Sequence, residues 1–165
     1  MILGMSLATF TLAHVIISLI GIASGLIVMI GLLRGKESAW TGIFLATTVL
    51  TSATGFLFPF HGLKPPHILG IISLVVLAIA IAARYAFHLR GAWRWIYVVT
   101  AAAALYFNCF VGVVQAFEKD PALKELAPKQ TEPPFVIAQL ALLVLFITLG
   151  VFATTRFRVV MPRAS

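Results

Sequence analysis

The chain has 165 residues, a hydrophobic content of 61% and a mean hydropathy of +1.07. Long apolar runs take up almost all of this length, which leaves no room for a separate soluble catalytic domain. The formal charge of +7 could indicate binding to nucleic acid. However, the basic residues lie in the connections between the apolar runs, which favours a membrane topology with no nucleic-acid partner.

Five apolar runs are each long enough to cross a bilayer as a helix. They cover about 6–33, 41–60, 67–87, 93–117 and 134–155. About 20 residues at 1.5 Å per residue cross a hydrocarbon layer of about 30 Å, and the runs lack the alternating polarity of barrel strands. The sequence therefore predicts an all-α integral membrane protein, in which residues 1–165 form one bundle of five transmembrane helices.

The first run is free of charged residues from Leu3 to Leu33. Its start lacks the basic segment of a secretory signal peptide, and we therefore expect no cleavage. Gly21 and Gly25 stand four residues apart, which predicts a face where this helix packs closely against a neighbour. His14 places an imidazole in the same run, and ionisable groups inside a membrane usually face a functional interior.

The second helix carries a face rich in hydroxyl groups, and two later helices begin with proline pairs. The hydroxyl residues are Thr47, Thr48, Thr51, Ser52 and Thr54. The proline pairs at 65–66 and 133–134 predict the starts of the third and fifth helices. Between the fourth and fifth helices, the sequence PALKELA predicts one or two amphipathic turns on the outer surface.

The Lys and Arg residues predict the orientation of the bundle, because cytoplasmic loops are enriched in them. With the N-terminus outside and the C-terminus in the cytoplasm, the inner segments hold Arg34, Lys36, Arg84, Arg90, Arg94, Arg156, Arg158 and Arg163. The outer segments hold Lys64, Lys119, Lys124 and Lys129, and the longest outer loop is net acidic. The basic cytoplasmic turns and the C-terminal tail are predicted to contact anionic lipids.

The polar side chains within the predicted spans gather in the outer half of the bundle. They are His14, Asn108, Gln115 and Gln139, and two further histidines, His61 and His67, flank the outer loop between the second and third helices. The spans contain no Asp or Glu, which argues against ion or proton coupling through carboxylates. The alternative role for His14 is structural, as a neutral imidazole bonded to Thr51 or Asn108.

Three kinds of cofactor fit these outer side chains. Haem b needs two axial imidazoles in an apolar slot, which His14 could provide together with His61 or His67. Copper or zinc would be bound by His14, His61 and His67. A quinone headgroup needs only one or two hydrogen-bonding groups in an apolar cleft. The predicted cofactor-binding residues are His14, Thr51, Asn108 and Gln115.

Two functions other than a redox-cofactor site stay open. A non-catalytic accessory or assembly subunit would be bound to a membrane-protein partner or to a second copy. The small size of the chain and the closely packing face at Gly21 and Gly25, here called the small-residue step, fit this function. A pore or transporter for a small solute along the hydroxyl face is less favoured. The chain lacks the hydrolase, metalloprotease, P-loop and dinucleotide-binding motifs, so we do not expect an enzyme acting on its own.

Short motifs are spread over the first four predicted helices. They are His14, Arg34 followed by Trp40-Thr41-Gly42, Ser52-x-x-Gly55 and His88-x-Arg90-x-x-Trp93. Their layout resembles a family of uncharacterised bacterial predicted membrane proteins, although the second and third turns here are less rich in basic residues and histidine. That family carries no settled activity. The resemblance implies a multi-pass protein of the bacterial inner (cytoplasmic) membrane.

Overall fold

The computed structural model of the protein describes residues 2–58 and 65–158. Its helices are α1 Leu7–Leu33, α2 Thr41–Gly55, α3 Pro65–Ile81, α4 Trp93–Lys119, α5 Pro121–Leu126 and α6 Pro133–Arg156. A π-helical turn at Ala82–Ala86 continues α3. The described residues contain no β-strand, so the prediction of an all-helical protein is confirmed.

Four segments of the described chain are helical over a sufficient length, and apolar enough, to cross a membrane. They are α1, α3 with its π-helical turn, α4 and α6. These helices support the prediction of a multi-pass membrane protein. Helix α2 has only 15 residues, fewer than the about 20 of a perpendicular helical crossing, so helix length does not confirm the predicted count of five.

Helix α2 is shorter than the predicted span of 41–60 because a tight turn follows Gly55. The backbone N–H groups of Phe56 and Leu57 donate to the carbonyls of Ala53 and Thr54 at 3.2 and 3.0 Å. These bonds join residues three apart, the tighter pattern that often closes a helix end.

Helices α1 and α2 pack antiparallel along most of the length of α1. At one end, a Cβ atom on Gly31 would lie 3.4 Å from the Cβ atom of Ser38. At the other end, the ring centroids of Phe10 and Phe58 lie 5.0 Å apart. Helix α1 rises about 32 Å from residue 10 to residue 31, so the chain from 38 to 58 follows α1 over that distance.

The turn after α1 reverses the chain and thereby sets this register. Gly35 has a φ of +73°, a conformation that L side chains rarely adopt. The N–H of Lys36 donates to the Gly31 carbonyl at 2.9 Å, and the N–H of Gly35 donates to the Leu32 carbonyl at 3.0 Å. This pair of bonds is the Schellman motif, which ends the helix and returns the chain along it.

Helix α4 forms the centre of the bundle and contacts α1, α3 and α6. Its buried side includes Tyr97, Val98, Ala101, Ala104 and Leu105. Alanine at these positions lets the neighbouring helices approach closely. Many large apolar side chains of α1, α3 and α6 remain exposed, as expected for helices that contact lipid.

The two ends of the bundle differ in composition. The basic end contains the turns at 34–40 and 87–92 and the end of α6, and the acidic end contains the start of α1 and the segment 118–132. The predicted amphipathic turns of PALKELA correspond to helix α5 at the acidic end. Asp120 caps this helix by accepting hydrogen bonds from the N–H groups of Ala122 and Leu123.

Candidate functional site

His14 lies two turns from the start of α1, towards the acidic end, on the side that faces α2. Ser6 caps α1 by accepting a hydrogen bond from the N–H of Thr9 at 3.1 Å. The imidazole is partly buried, and its Nδ1 lies 2.8 Å from Oγ1 of Thr54. The antiparallel register of α1 and α2 places residue 54 opposite residue 14, which explains this contact.

The contacts of the Thr54 hydroxyl indicate which imidazole nitrogen carries the hydrogen. Thr54 Oγ1 donates its single hydrogen to the Leu50 carbonyl at 2.6 Å. The same oxygen must then accept a hydrogen bond from His14, so we assign the hydrogen to Nδ1 from this network. In the neutral ring, Nε2 keeps a lone pair that can accept a hydrogen bond or ligate a metal.

Aromatic rings form the surroundings of the imidazole. The ring centroids of His14 and Phe58 lie 5.2 Å apart in an edge-to-face arrangement, and Phe58 packs in the same way on Phe10. Neither phenylalanine is among the site residues predicted from the sequence. Phe10 stands four residues from His14 on α1, and such a pair shares one side of a helix, whereas Phe58 lies in the turn beyond the end of α2. The spacing of Phe10 was the available signal.

The predicted metal-binding set is only partly within the described residues. His67 lies in α3, with its ring centroid 5.9 Å from that of Phe56, close to the same turn that carries Phe58. His61 lies outside the described residues. In the ranges 2–58 and 65–158, no group of three or more His, Cys, Asp or Glu side chains could hold a metal ion. A site formed by His14, His61 and His67 therefore stays a prediction.

The structural role predicted for His14 involves a different partner from the expected Thr51 or Asn108. Its hydrogen bond goes to Thr54, because the helix register places Thr51 one turn further from the acidic end. Thr51 Oγ1 is buried and has no hydrogen-bond partner among the described residues. Residues 51 and 54 are three apart on α2 and share one side of it. The buried Thr51 hydroxyl thus lies one helical turn from the Thr54 hydroxyl that contacts the imidazole.

Asn108 forms a separate polar contact closer to the middle of the bundle. It is 9% exposed, and its Nδ2 donates to Thr48 Oγ1 at 3.4 Å. A Cβ atom on Gly21 would lie 3.1 Å from Asn108 Nδ2. Gly21 is about 10 Å from His14 along α1, so Asn108 joins α1, α2 and α4 away from the imidazole.

The sequence predicts Gln115 beside His14 and Gln139 only in the same half of the bundle, and neither amide is hydrogen-bonded to His14. Gln115 is exposed and donates to Glu118 Oε2 at 3.4 Å. Gln139 is 9% exposed and donates to the Phe110 carbonyl at 3.2 Å, which links α6 to α4. The described contacts of His14 are therefore with hydroxyl and aromatic groups.

The small-residue step of α1, Gly21 and Gly25, contacts other helices of the same chain. A Cβ atom on Gly25 would lie 2.5 Å from Leu105 Cδ1 and 2.8 Å from the ring of Phe44. Together with Gly21, this step lets α2 and α4 of the same chain approach α1. The predicted close contact with a neighbouring helix is therefore within the chain, and this face is not a surface for a separate partner.

No family model, no curated protein and no solved structure matches the chain. The resemblance to uncharacterised bacterial membrane proteins stays a prediction that depends on the short motifs quoted above. What the site can bind follows from the chemistry of its own side chains, above all from the lone pair on His14 Nε2.

Proposed function

We propose that this chain binds the headgroup of a quinol beside His14, as part of a membrane redox system. One observation supports the proposal above all. His14 Nδ1 donates to Thr54 Oγ1, which in turn donates to the Leu50 carbonyl, and this direction leaves Nε2 as an acceptor. A quinol has two O–H donors on an aromatic ring. One of them would donate to Nε2, and a single such bond is enough to orient a ring in an apolar cleft.

The surroundings of the imidazole match the rest of the headgroup. Phe10 and Phe58 already pack edge to face, an arrangement that a third aromatic ring can join. The buried hydroxyl of Thr51 offers a second hydrogen-bonding group one turn away. Because His14 is only partly buried, the apolar tail of the quinol could remain in the lipid.

The proposal includes five membrane crossings, with α2 as the second. Helix α2 and its flanking residues from 38 to 58 accompany α1 over about 32 Å, close to the ~30 Å thickness of the hydrocarbon layer. The short helix is thus extended at both ends by turns that stay packed against α1. The Phe10–Phe58 contact supports this interpretation at the acidic end.

The basic end is proposed to face the cytoplasm, in the predicted bacterial inner membrane, because cytoplasmic segments are enriched in Lys and Arg. In a Cys109→Ser background, Glu125→Cys is expected to react with a membrane-impermeant maleimide in intact cells. Arg158→Cys is expected to react only after permeabilisation. The reverse labelling pattern would contradict the orientation.

Replacement of His14 tests the quinol site. In detergent, the full chain is titrated with a short-chain benzoquinol, and the dissociation constant is measured for the natural protein and for His14→Ala. We expect binding to weaken about tenfold, since a single hydrogen bond contributes about 1–1.5 kcal/mol. Thr54→Val keeps the shape of its side chain but removes the acceptor for Nδ1, and we expect a smaller loss of affinity.

Gln115→Ala provides the matched control, because this exposed amide bonds to Glu118 and not to His14. It should bind the quinol as the natural protein does. Equal affinities for the natural protein and His14→Ala would contradict the proposed site, as would a complete absence of quinol binding.

An absorption spectrum and a metal analysis of the purified protein separate the other candidates. A Soret band that shifts on reduction and disappears in His14→Ala would show that the bound group is haem and not a quinol. Stoichiometric copper or zinc without that band would favour the predicted set of His14, His61 and His67. A featureless, metal-free spectrum together with no quinol binding would favour the accessory-subunit alternative.

A further inference from the structure

Four basic residues lie in the region where the turn after α1 contacts the end of α6. A Cβ atom on Gly35 would lie 3.0 Å from the carbonyl oxygen of Arg156. This backbone contact brings Arg34 and Lys36, on either side of the glycine, close to Arg156 and Arg158. All four side chains are exposed, and we call them the basic cluster.

Among the residues that the structure describes, no carboxylate pairs with the basic cluster. Glu37 is the only acidic residue in the sequence before Glu118, and its Oε2 pairs with Arg84 Nη2 at 2.7 Å. Within the described part of the chain, that is the one ion pair. The cluster therefore keeps its positive charge at the boundary between lipid and water.

The helix ends do not use these cations either. Arg94 of α4 binds carbonyl groups at the end of α6, since its Nη1 donates to the Thr154 carbonyl at 3.2 Å and also to the Phe157 carbonyl. The carbonyl groups at the end of α1 accept the backbone bonds of the Schellman turn. No side-chain hydrogen bond of the basic cluster is found among the described residues.

An apolar surface of α6 begins beside the cluster. The guanidinium carbon of Arg156 lies 5.7 Å from the ring centroid of Phe152. Further along α6 there is a shallow groove lined by Ile137, Leu140, Ala141, Val144, Leu145 and Thr148. Positions 145, 148 and 152 recur at helical spacing, so the groove and Phe152 share one side of α6.

We infer that the basic cluster binds the phosphate of an anionic phospholipid, with an acyl chain of that lipid lying in the groove along α6. Unpaired cations at the membrane boundary, directly beside an apolar surface, match an amphiphile with a negative headgroup. A zwitterionic lipid would bring a cation towards the cluster, and free phosphate has no chain to fill the groove. This site is at the opposite end of the bundle from His14 and does not depend on the quinol proposal.

A lipid titration of the full chain in neutral detergent tests the inference. Phosphatidylglycerol, phosphatidylcholine with the same acyl chains, and sodium phosphate are added separately, and lipid affinity is measured from the rise in melting temperature. We expect only phosphatidylglycerol to raise it. In Lys36→Gln/Arg158→Gln its affinity should fall roughly 25-fold, since each basic side chain near a charged membrane surface is worth about a fivefold factor.

Two further variants make the outcome unambiguous. Lys124→Gln/Lys129→Gln removes the same charge from the acidic end and should bind phosphatidylglycerol as the natural protein does. Lys36→Arg/Arg158→Lys keeps the charge and should also bind normally, so a loss confined to the glutamine pair reports on charge rather than on folding. The inference is overturned if phosphatidylcholine or sodium phosphate protects equally, or if Lys36→Gln/Arg158→Gln retains full affinity.

Discussion

Replacing Gly25 by alanine is expected to lower the free energy of unfolding by about 2–3 kcal/mol, the upper range for overpacking a core. The added Cβ atom would lie 2.5 Å from Leu105 Cδ1 and 2.8 Å from the Phe44 ring. Both side chains are 1% exposed, so neither can move without displacing other core residues. Unfolding in mixed micelles titrated with sodium dodecyl sulfate measures the change.

Gly150→Ala is the matched control for this substitution. Gly150 also lies within a long helix, α6, but a Cβ atom there would lie 3.9 Å from the Ala102 Cβ, an ordinary contact. We expect its stability to be unchanged, or to rise by up to about 1 kcal/mol, since alanine restricts the unfolded chain more than glycine does. Equal effects at the two positions would show that α1 does not pack as described.

Arg94→Met is expected to cost about 3 kcal/mol of unfolding free energy. The guanidinium donates to the carbonyls of Thr154 and Phe157, and so connects the start of α4 to the end of α6. Hydrogen bonds to a charged group contribute about 1.5–3 kcal/mol each, and methionine keeps a similar length but offers no donor. The same micelle titration measures the loss.

Arg90→Met controls for removal of a positive charge from the same end. The Arg90 side chain is exposed and makes no hydrogen bond or ion pair within the described residues. Its replacement should change stability by less than about 0.5 kcal/mol, as is usual for surface substitutions. A loss for Arg90→Met as large as that for Arg94→Met would point to net charge instead of the cap on α6.

The positions of the helices follow from local signals that the sequence displays. Ser6 caps α1, and Pro133 begins α6, so these helices closely follow the apolar runs at 6–33 and 134–155. The end of α2 is different, because the predicted span runs to residue 60 whereas the helix ends at Gly55. Gly55 followed by Pro59 was the available stop signal in the sequence. The π-helical turn at Ala82–Ala86 has no marker in the sequence.

The candidate site was less predictable because it depends on how the helices are rotated and paired. Depth along a helix can be estimated from residue number, and this estimate placed His14 and Gln115 in one half of the bundle. It cannot give the rotation that leaves Gln115 exposed. It also cannot give the register that selects Thr54 as the partner of His14. Tertiary packing determines both.

The protonation of the His14 ring nitrogens tests the central claim most directly. Nitrogen-15 NMR of labelled protein in detergent, with His14→Ala used to assign the signals, distinguishes a protonated from an unprotonated imidazole nitrogen. We predict a hydrogen on Nδ1, a lone pair on Nε2, and a change of the Nε2 shift when a short-chain benzoquinol is added. A hydrogen on Nε2 in the free protein, or an Nε2 shift that the quinol leaves unchanged, would contradict the proposed site.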